Sequence, residues 1–251
     1  METLSFSIIT VTLNSEKYLS EALDSILEQD YTNKELIVVD GGSTDSTIDI
    51  LKSYGDKVRF LSEPDKGISD AMNKGIRMSR GEIIAHLHSD DRYMAGALST
   101  AVEVFTGNPD LKWLIGKGNY INEKGEDTGL ARSGKYSYEK LKNYNFIFHP
   151  ATFVRREVFD VVGYFDKSLQ YAMDYDMWMR IGKAYEPFPS DEVLTSFRRH
   201  SDSFSTRNAV KAIDEEYTVR KRYCGDELLF RKIFFFLRYK AARTAKILKL
   251  S

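Results

Sequence analysis

The chain has 251 residues, 42% of them hydrophobic and 29% charged, which supports one large domain with a real core. A single cysteine, Cys224, excludes an internal disulfide framework and a cysteine-based metal cluster, and fits a reducing compartment. The net charge of −1 conceals an asymmetry: residues 228–251 carry seven basic residues and no acid, while the other 29 basic residues face 37 acids, a balance of −8.

In chain order, FSIITVTL (6–13) is a β-branched apolar run that predicts a buried strand, and Asn14 or Ser15 is placed to cap a helix through about residue 29. Residues 36–39 predict a second strand, followed by the turn DGGSTD (40–45) and a helix over about 46–54. A third strand at 58–61, a helix at 68–78 and a fourth strand at 83–87 complete an alternation of strands and helices, hence βαβ units and a mostly parallel sheet. Ligands of such sheets collect at the carboxyl ends of the strands. Those ends carry Thr12 and Asn14, then Asp40, then Glu63 and Asp65, then Asp90 and Asp91, so one rim is polar and acidic. After residue 95 the rhythm changes. A helix to 105 leads to strand or hairpin material at 113–121, a polar loop at 122–134, a strand edge into a helix over 153–162, a helix at 175–184, a strand at 193–199 and helix from 208 onward.

His88-Ser89-Asp90-Asp91 is the most informative stretch. Adjacent carboxylates repel, and a site that keeps both ionised usually supplies a counter-cation. Hard divalent ions such as Mg²⁺ or Mn²⁺ favour carboxylate oxygens and share their coordination sphere with substrate phosphates. An Asp-Asp turn that caps the next helix is the alternative.

Five blocks together resemble the inverting family 2 glycosyltransferases of the GT-A fold, the nucleotide-sugar-dependent group that builds bacterial polysaccharides. They are SIITVTLN (7–14), IVVDGGSTD (37–45), EPDKGISDAMNKG (63–75), HSDD (88–91) and MDYDMWMR (173–180), spread over roughly residues 5–200. The resemblance implies a GT-A domain over 1–225, with a nucleotide-binding half to about 105 and an acceptor-side half over about 106–205. It also implies that Thr10, Thr12, Asn14, Asp40 and Gly41 hold base and ribose, with Asp65, Asp70 and Asn73 in the nucleotide-contacting loop. Asp40 is equally placed to cap the helix after it, and Asn73 to be merely exposed. Asp90 and Asp91 would hold Mn²⁺ or Mg²⁺ against the diphosphate, with Asp90 also near the nucleotide and His200 as a further ligand; neighbouring Arg198 and Arg199 are candidates for phosphate. Relatives often carry an acid where His88 stands, so His88 either ligates metal or packs under the rim. The general base of the family matches Asp174, here after Met173 in place of the usual Glu, with Asp176 as the alternative base or a helix-dipole partner. His149 and Trp178 are acceptor-side candidates, although a lone Trp on a helix is as readily core.

The reading is therefore a metal-dependent inverting transferase that moves a sugar from a UDP-sugar, or else a GDP-sugar, to a hydroxyl of a glycan or polyprenol-linked acceptor. A non-catalytic nucleotide-sugar binder is an alternative. A sugar-phosphate nucleotidylyltransferase is disfavoured, because LNSE (13–16) lacks the glycine-rich loop that such enzymes use. No nucleic-acid partner is expected. The segment 226–251 predicts a basic amphipathic helix with Phe230, Phe234, Leu237, Ala241, Ala245 and Leu248 on one stripe, suited to an anionic membrane surface or to packing on the domain. No run approaches the ~20 apolar residues of a bilayer span, and the start METLSF has no signal character, so the expected place is cytoplasmic, peripheral on the inner face of the membrane.

Overall fold

The structure, a computed structural model, describes residues 4–131, 135–224 and 228–250. The expected break between domain and tail, at 225/226, and the end of the 122–134 loop lie outside the described residues. The elements run β1 (Phe6–Thr12), α1 (Leu19–Leu27), β2 (Lys34–Asp40), α2 (Thr47–Ser53), β3 (Arg59–Ser62), α3 (Ile68–Met78), β4 (Ile83–His86), β5 (Arg92–Tyr93) and α4 (Ala97–Gly107). They continue with β6 (Trp113–Ile121), β7 (Asp127–Leu130), α5 (Tyr138–Leu141), β8 (Thr152–Arg155), α6 (Glu157–Val162), α7 (Met173–Ala184), β9 (Phe188–Arg198), α8 (Phe204–Arg207), α9 (Ala209–Tyr223) and α10 (Leu229–Leu250).

One mixed sheet has the order β3-β2-β1-β4-β8-β6-β9-β5, with β7 paired to β6. The first four strands are parallel, as the alternation of strands and helices predicts. Antiparallel β8 then stands between β4 and β6, and β6 takes β9 in parallel. Alternate residues of β1 face opposite layers. Ile9 and Val11 join Met72 and Ile76 of α3, Phe159 of α6 and Trp178 of α7; Phe6 and Ile8 join Leu19 and Leu23 of α1, Leu51 of α2 and Leu98 and Phe105 of α4. Helix α3 lies so close that a Cβ on Gly75 would come within 2.4 Å of Ile9 Cγ2, which accounts for a glycine in mid-helix.

Helix α1 begins at Leu19, later than the Asn14 or Ser15 cap predicts. Asn14 adopts φ +51, its N–H donates to Ser43 Oγ (2.7 Å) and its Oδ1 accepts from Thr44 N (2.8 Å). The side chain that would have capped a helix instead laces the β1–α1 loop to the β2–α2 loop, and Ser46 N–H donates to Glu16 in the same way.

Candidate active site

At the end of β2, Asp40 is fully buried and closes its own turn. Its Oδ2 accepts from Gly42 N (3.0 Å), Ser43 N (3.0 Å) and Ser62 Oγ (2.7 Å), and its Oδ1 from the Ser43 hydroxyl. That arrangement gives Asp40 a turn-organising role. Gly41 lies under Asp65: a Cβ there would meet Asp65 Oδ2 at 2.7 Å, so the glycine leaves room for this half-buried carboxylate on the rim. Thr10 and Thr12 are buried, and their hydroxyls have no partner among the described residues.

Two members of the nucleotide-contacting loop are committed elsewhere. Asn73 is 1% exposed, donates from Nδ2 to Phe165 O (2.8 Å) and accepts at Oδ1 from Phe165 N (2.9 Å). It clamps α3 to the segment before α7 and is neither exposed nor free for a nucleotide. Asp70 is held by Lys167 at 2.5 Å, a contact that lowers its pKa, and has Lys74 at 3.8 Å.

The paired carboxylates part company. Asp90 meets His200 Nε2 through Oδ2 at 3.0 Å, with both side chains partly exposed. Asp91 turns inward: it is 1% exposed and accepts from Arg198 N at Oδ1 (3.0 Å), while Oδ2 is buried without a partner. Burial, reinforced by the charge of Asp90, holds its carboxyl well above the ordinary range. Asp91 therefore backs the loop through the Arg198 N–H, and Asp90 is the more exposed carboxylate of the two. Arg198 is not a phosphate ligand. It is 1% exposed and donates to Asp90 O (2.9 Å), Glu21 Oε2 (2.6 Å) and the carbonyls of Asn122 (3.2 Å) and Glu123 (3.3 Å), bracketing two loops and helix α1. Asp90 and His200 suit a divalent ion such as Mn²⁺, which accepts carboxylate and imidazole donors and takes its other ligands from diphosphate and water. Among the described residues no group of three or more acids, histidines or cysteines is placed to hold a metal ion.

His88 packs under the rim, ring-to-ring with His149 at 5.3 Å, and burial lowers its pKa. His86 and His149 continue the row at 5.5 Å; burial takes His86 down to about 3 and His149 well below its ordinary value, so these are neutral imidazoles.

Asp174, at the start of α7, opens onto a cavity of about 920 Å³ that His149, His200, Arg199 and Tyr120 also line. Its Oδ2 accepts from Asn145 Nδ2 (3.0 Å) and its Oδ1 from Tyr175 N (2.7 Å), yet burial still pushes its pKa up to about 6. The start of α7 is fixed from α9, where Glu215 accepts from Gln170 N (3.0 Å), Tyr171 N (2.6 Å) and Ala172 N (2.7 Å), satisfying N–H groups that the helix start leaves open. Tyr120, Phe148 and Phe197 form an aromatic wall with centroids 5.9–6.2 Å apart. The neighbouring candidates do not reach this space. Asp176 is 3% exposed and engaged with Arg180 (2.9 Å) and Tyr223 (2.8 Å), and Trp178 is stacked on Trp113 in the core at 5.7 Å. Neither serves as an alternative base or a sugar contact.

Two cavity residues went unread in the sequence, Glu216 on α9 and Lys246 on α10. Glu216, exposed at the cavity edge, faces Asp174, whose charge helps to raise its pKa. Helix α10 reaches the cavity because it packs on α9: Tyr239 stacks on Tyr217 at 4.3 Å, Arg220 covers Phe235 at 3.5 Å, and Tyr239 and Arg243 donate to Asp214 at 2.8 and 2.9 Å.

Residues 7–163 match the model of Glycosyl transferase family 2. An uncharacterised glycosyltransferase of Rickettsia typhi is 33% identical over 218 residues, 83% of this chain and 68% of that protein. Among solved structures, Staphylococcus aureus TarS 1–349 in complex with UDP-GlcNAc superposes with a TM-score of 0.68 at 20% identity, covering 96% of this chain and 73% of that one; the chain spans 43% of a longer TarS structure. The mannosyltransferase PcManGT of Pyrobaculum calidifontis, in complex with GDP-Man and Mn²⁺, superposes at 0.69 with 18% identity, covering 98% and 74%. These neighbours share the α/β GT-A fold with this chain.

Proposed function

The chain belongs to glycosyl transferase family 2, and from that premise we propose that it is a metal-dependent inverting glycosyltransferase that uses a UDP-sugar, with a GDP-sugar as the second choice, to glycosylate a hydroxyl of a glycan or lipid-linked acceptor. The observation that carries this is Asp174, a carboxylate at the start of α7 that opens onto the cavity with a pKa raised to about 6, on the same cavity as the His200 that pairs with Asp90. A base of that strength is mostly ionised at neutral pH and still accepts a proton readily. Asp174 takes the proton of the acceptor hydroxyl as its oxygen attacks the anomeric carbon from the face opposite the diphosphate. Asn145 and the Tyr175 N–H hold the carboxylate in place for that transfer. Asp90 and His200 would hold Mn²⁺ or Mg²⁺, which supplies Lewis-acid neutralisation of the leaving nucleoside diphosphate. The aromatic wall of Tyr120, Phe148 and Phe197 suits the apolar face of a sugar ring.

The tail supports a place at a membrane surface. With Phe235 and Tyr239 turned to α9, Phe230, Phe234, Leu237 and Leu248 are 58–69% exposed, and Lys232, Arg238 and Lys240 stand exposed among them. No helix among the described residues is long and apolar enough to cross a membrane, so contact would be interfacial. The deciding experiment incubates the protein with a panel of UDP- and GDP-sugars with and without Mn²⁺ and determines the anomeric configuration of the product by NMR. Metal-dependent turnover with inversion is expected; retention would overturn the assignment of Asp174, and turnover unaffected by chelation would overturn the metal role.

A further inference from the structure

We propose that Lys246 of the tail helix, with Arg199, forms a phosphate subsite in the acceptor cavity, so that the acceptor is a lipid whose phosphate is gripped by the same helix that rests on the membrane. The proposal rests on the reading of the cavity as the acceptor site and of the outer α10 face as membrane-facing.

Most charged groups around this cavity are matched. Glu123 pairs with Lys17 at 3.1 Å, His200 with Asp90 at 3.0 Å, and Asp174 with Asn145 and a backbone N–H. Lys246 and Arg199 are not: among the described residues neither side chain has an ion pair or hydrogen bond, and the Arg199 guanidinium lies on the Tyr120 ring at 3.3 Å. Two cations on one cavity, neither within pairing distance of the Asp174, Glu123 or Glu216 carboxylates that share it, fit an anion that arrives with the substrate. Phosphate oxygens accept charge-assisted hydrogen bonds from both lysine and arginine.

Position makes the anion a lipid phosphate. Phe235, Tyr239, Arg243 and Lys246 recur at intervals of four, four and three, forming the face turned toward α9 and the cavity, while Ile247 and Leu248 beside Lys246 are exposed. A helix with its side chains is roughly 10–12 Å across. A phosphate on Lys246 therefore sits about one helix diameter from the surface that the outer face touches. That distance suits the headgroup of a lipid whose chain stays in the bilayer while its first sugar extends toward Asp174.

The test saturates the donor groove with UDP and Mn²⁺, then titrates farnesyl diphosphate, below its micellar concentration, by calorimetry. The wild type should bind it, Lys246→Ala should weaken binding on the order of 10–100-fold, the loss of one charge-assisted contact, and Lys246→Arg should retain most of it. Sedimentation with phosphatidylglycerol vesicles should be unchanged in Lys246→Ala, because that side chain faces inward. Equal farnesyl diphosphate binding by wild type and Lys246→Ala overturns the subsite. A methyl glucuronide that binds where farnesyl diphosphate does not overturns the phosphate identity in favour of a sugar carboxylate. Absence of wild-type vesicle binding overturns the membrane reading alone, and failure of both UDP and GDP to bind in the presence of Mn²⁺ overturns the transferase reading on which all of this stands.

Discussion

Asp174 is one carboxylate with two opposed pH dependences. As a base it must be ionised, so kcat/KM should rise as pH increases through about 6. Stability runs the other way. Its folded pKa lies above the ordinary 3.8, so the folded state binds more protons between those values; the contribution is complete below about 3.8 and lost as pH rises through about 6. Asp174→Asn should lower turnover by about 10²-fold with UDP affinity unchanged. At pH 8 the same variant should melt roughly 2–4 °C above wild type, and at pH 4 level with it, in a calorimetric series. The motif around residue 174 made this residue legible, as the HSDD block did Asp90. What the sequence withheld was partnership. Asn73, Asp176 and Trp178 have the right residue types beside the right motifs, but Phe165, Tyr223 and Trp113 claim them, and those partners are distant in the chain. Glu216 gave no signal at all, being one acid of a solvent-patterned helix whose role depends on where α9 docks.

Among the elements, α10 shows how a repeat of apolar residues can be read correctly and still leave its face unassigned. Its stripe at 230, 234, 237 and 248 was visible in the spacing; that it turns outward, while Phe235 and Tyr239 dock on α9, depends on tertiary packing. Packing on the domain is thus met by one side of the helix, and the proposed membrane contact falls to the other. Replacing Phe234 and Leu237 together by Ser should reduce sedimentation with phosphatidylglycerol vesicles by tenfold or more, since about two buried side chains are lost, while UDP binding and the melting temperature stay close to wild type. Wild-type sedimentation should weaken as salt rises, because the exposed basic residues are screened. Sedimentation of the double variant at the wild-type level would assign the outer face another use. Strand β8 gives the complementary lesson: its apolar character was legible, but its antiparallel seat between β4 and β6 was not, because a four-residue run specifies burial without specifying a partner.

For the molecule as a whole, the proposed ion site joins chain segments 110 residues apart: Asp90 follows β4 of the parallel part, and His200 follows β9 of the later strands. Ligation should therefore fasten the two parts together. Mn²⁺ with UDP at about 100 times Kd should stabilise by about 2.7 kcal/mol and raise the melting temperature by roughly 5–10 °C. Asp90→Asn and His200→Ala should each lose most of that gain. Asp91→Ala should keep it while melting lower throughout, because it removes the acceptor of the Arg198 N–H. A metal-dependent shift that vanished in Asp91→Ala but survived in Asp90→Asn would reverse the two assignments.

Glu215 has a bearing on how such enzymes can diversify. The segment matched by the family model ends at 163, and Asp174, Glu216 and Lys246 all lie beyond it. Yet the later part is not a set of interchangeable pieces: Glu215 holds the backbone of 170–172 just before Asp174, and Tyr223 and Arg222 reach Asp176 on the same helix. A graft of α9 alone would leave three N–H groups open at the mouth of α7 and displace the base that it was meant to serve. These contacts tie α7 and α9 into one packed unit, so an exchange aimed at a new acceptor preference should move both helices together.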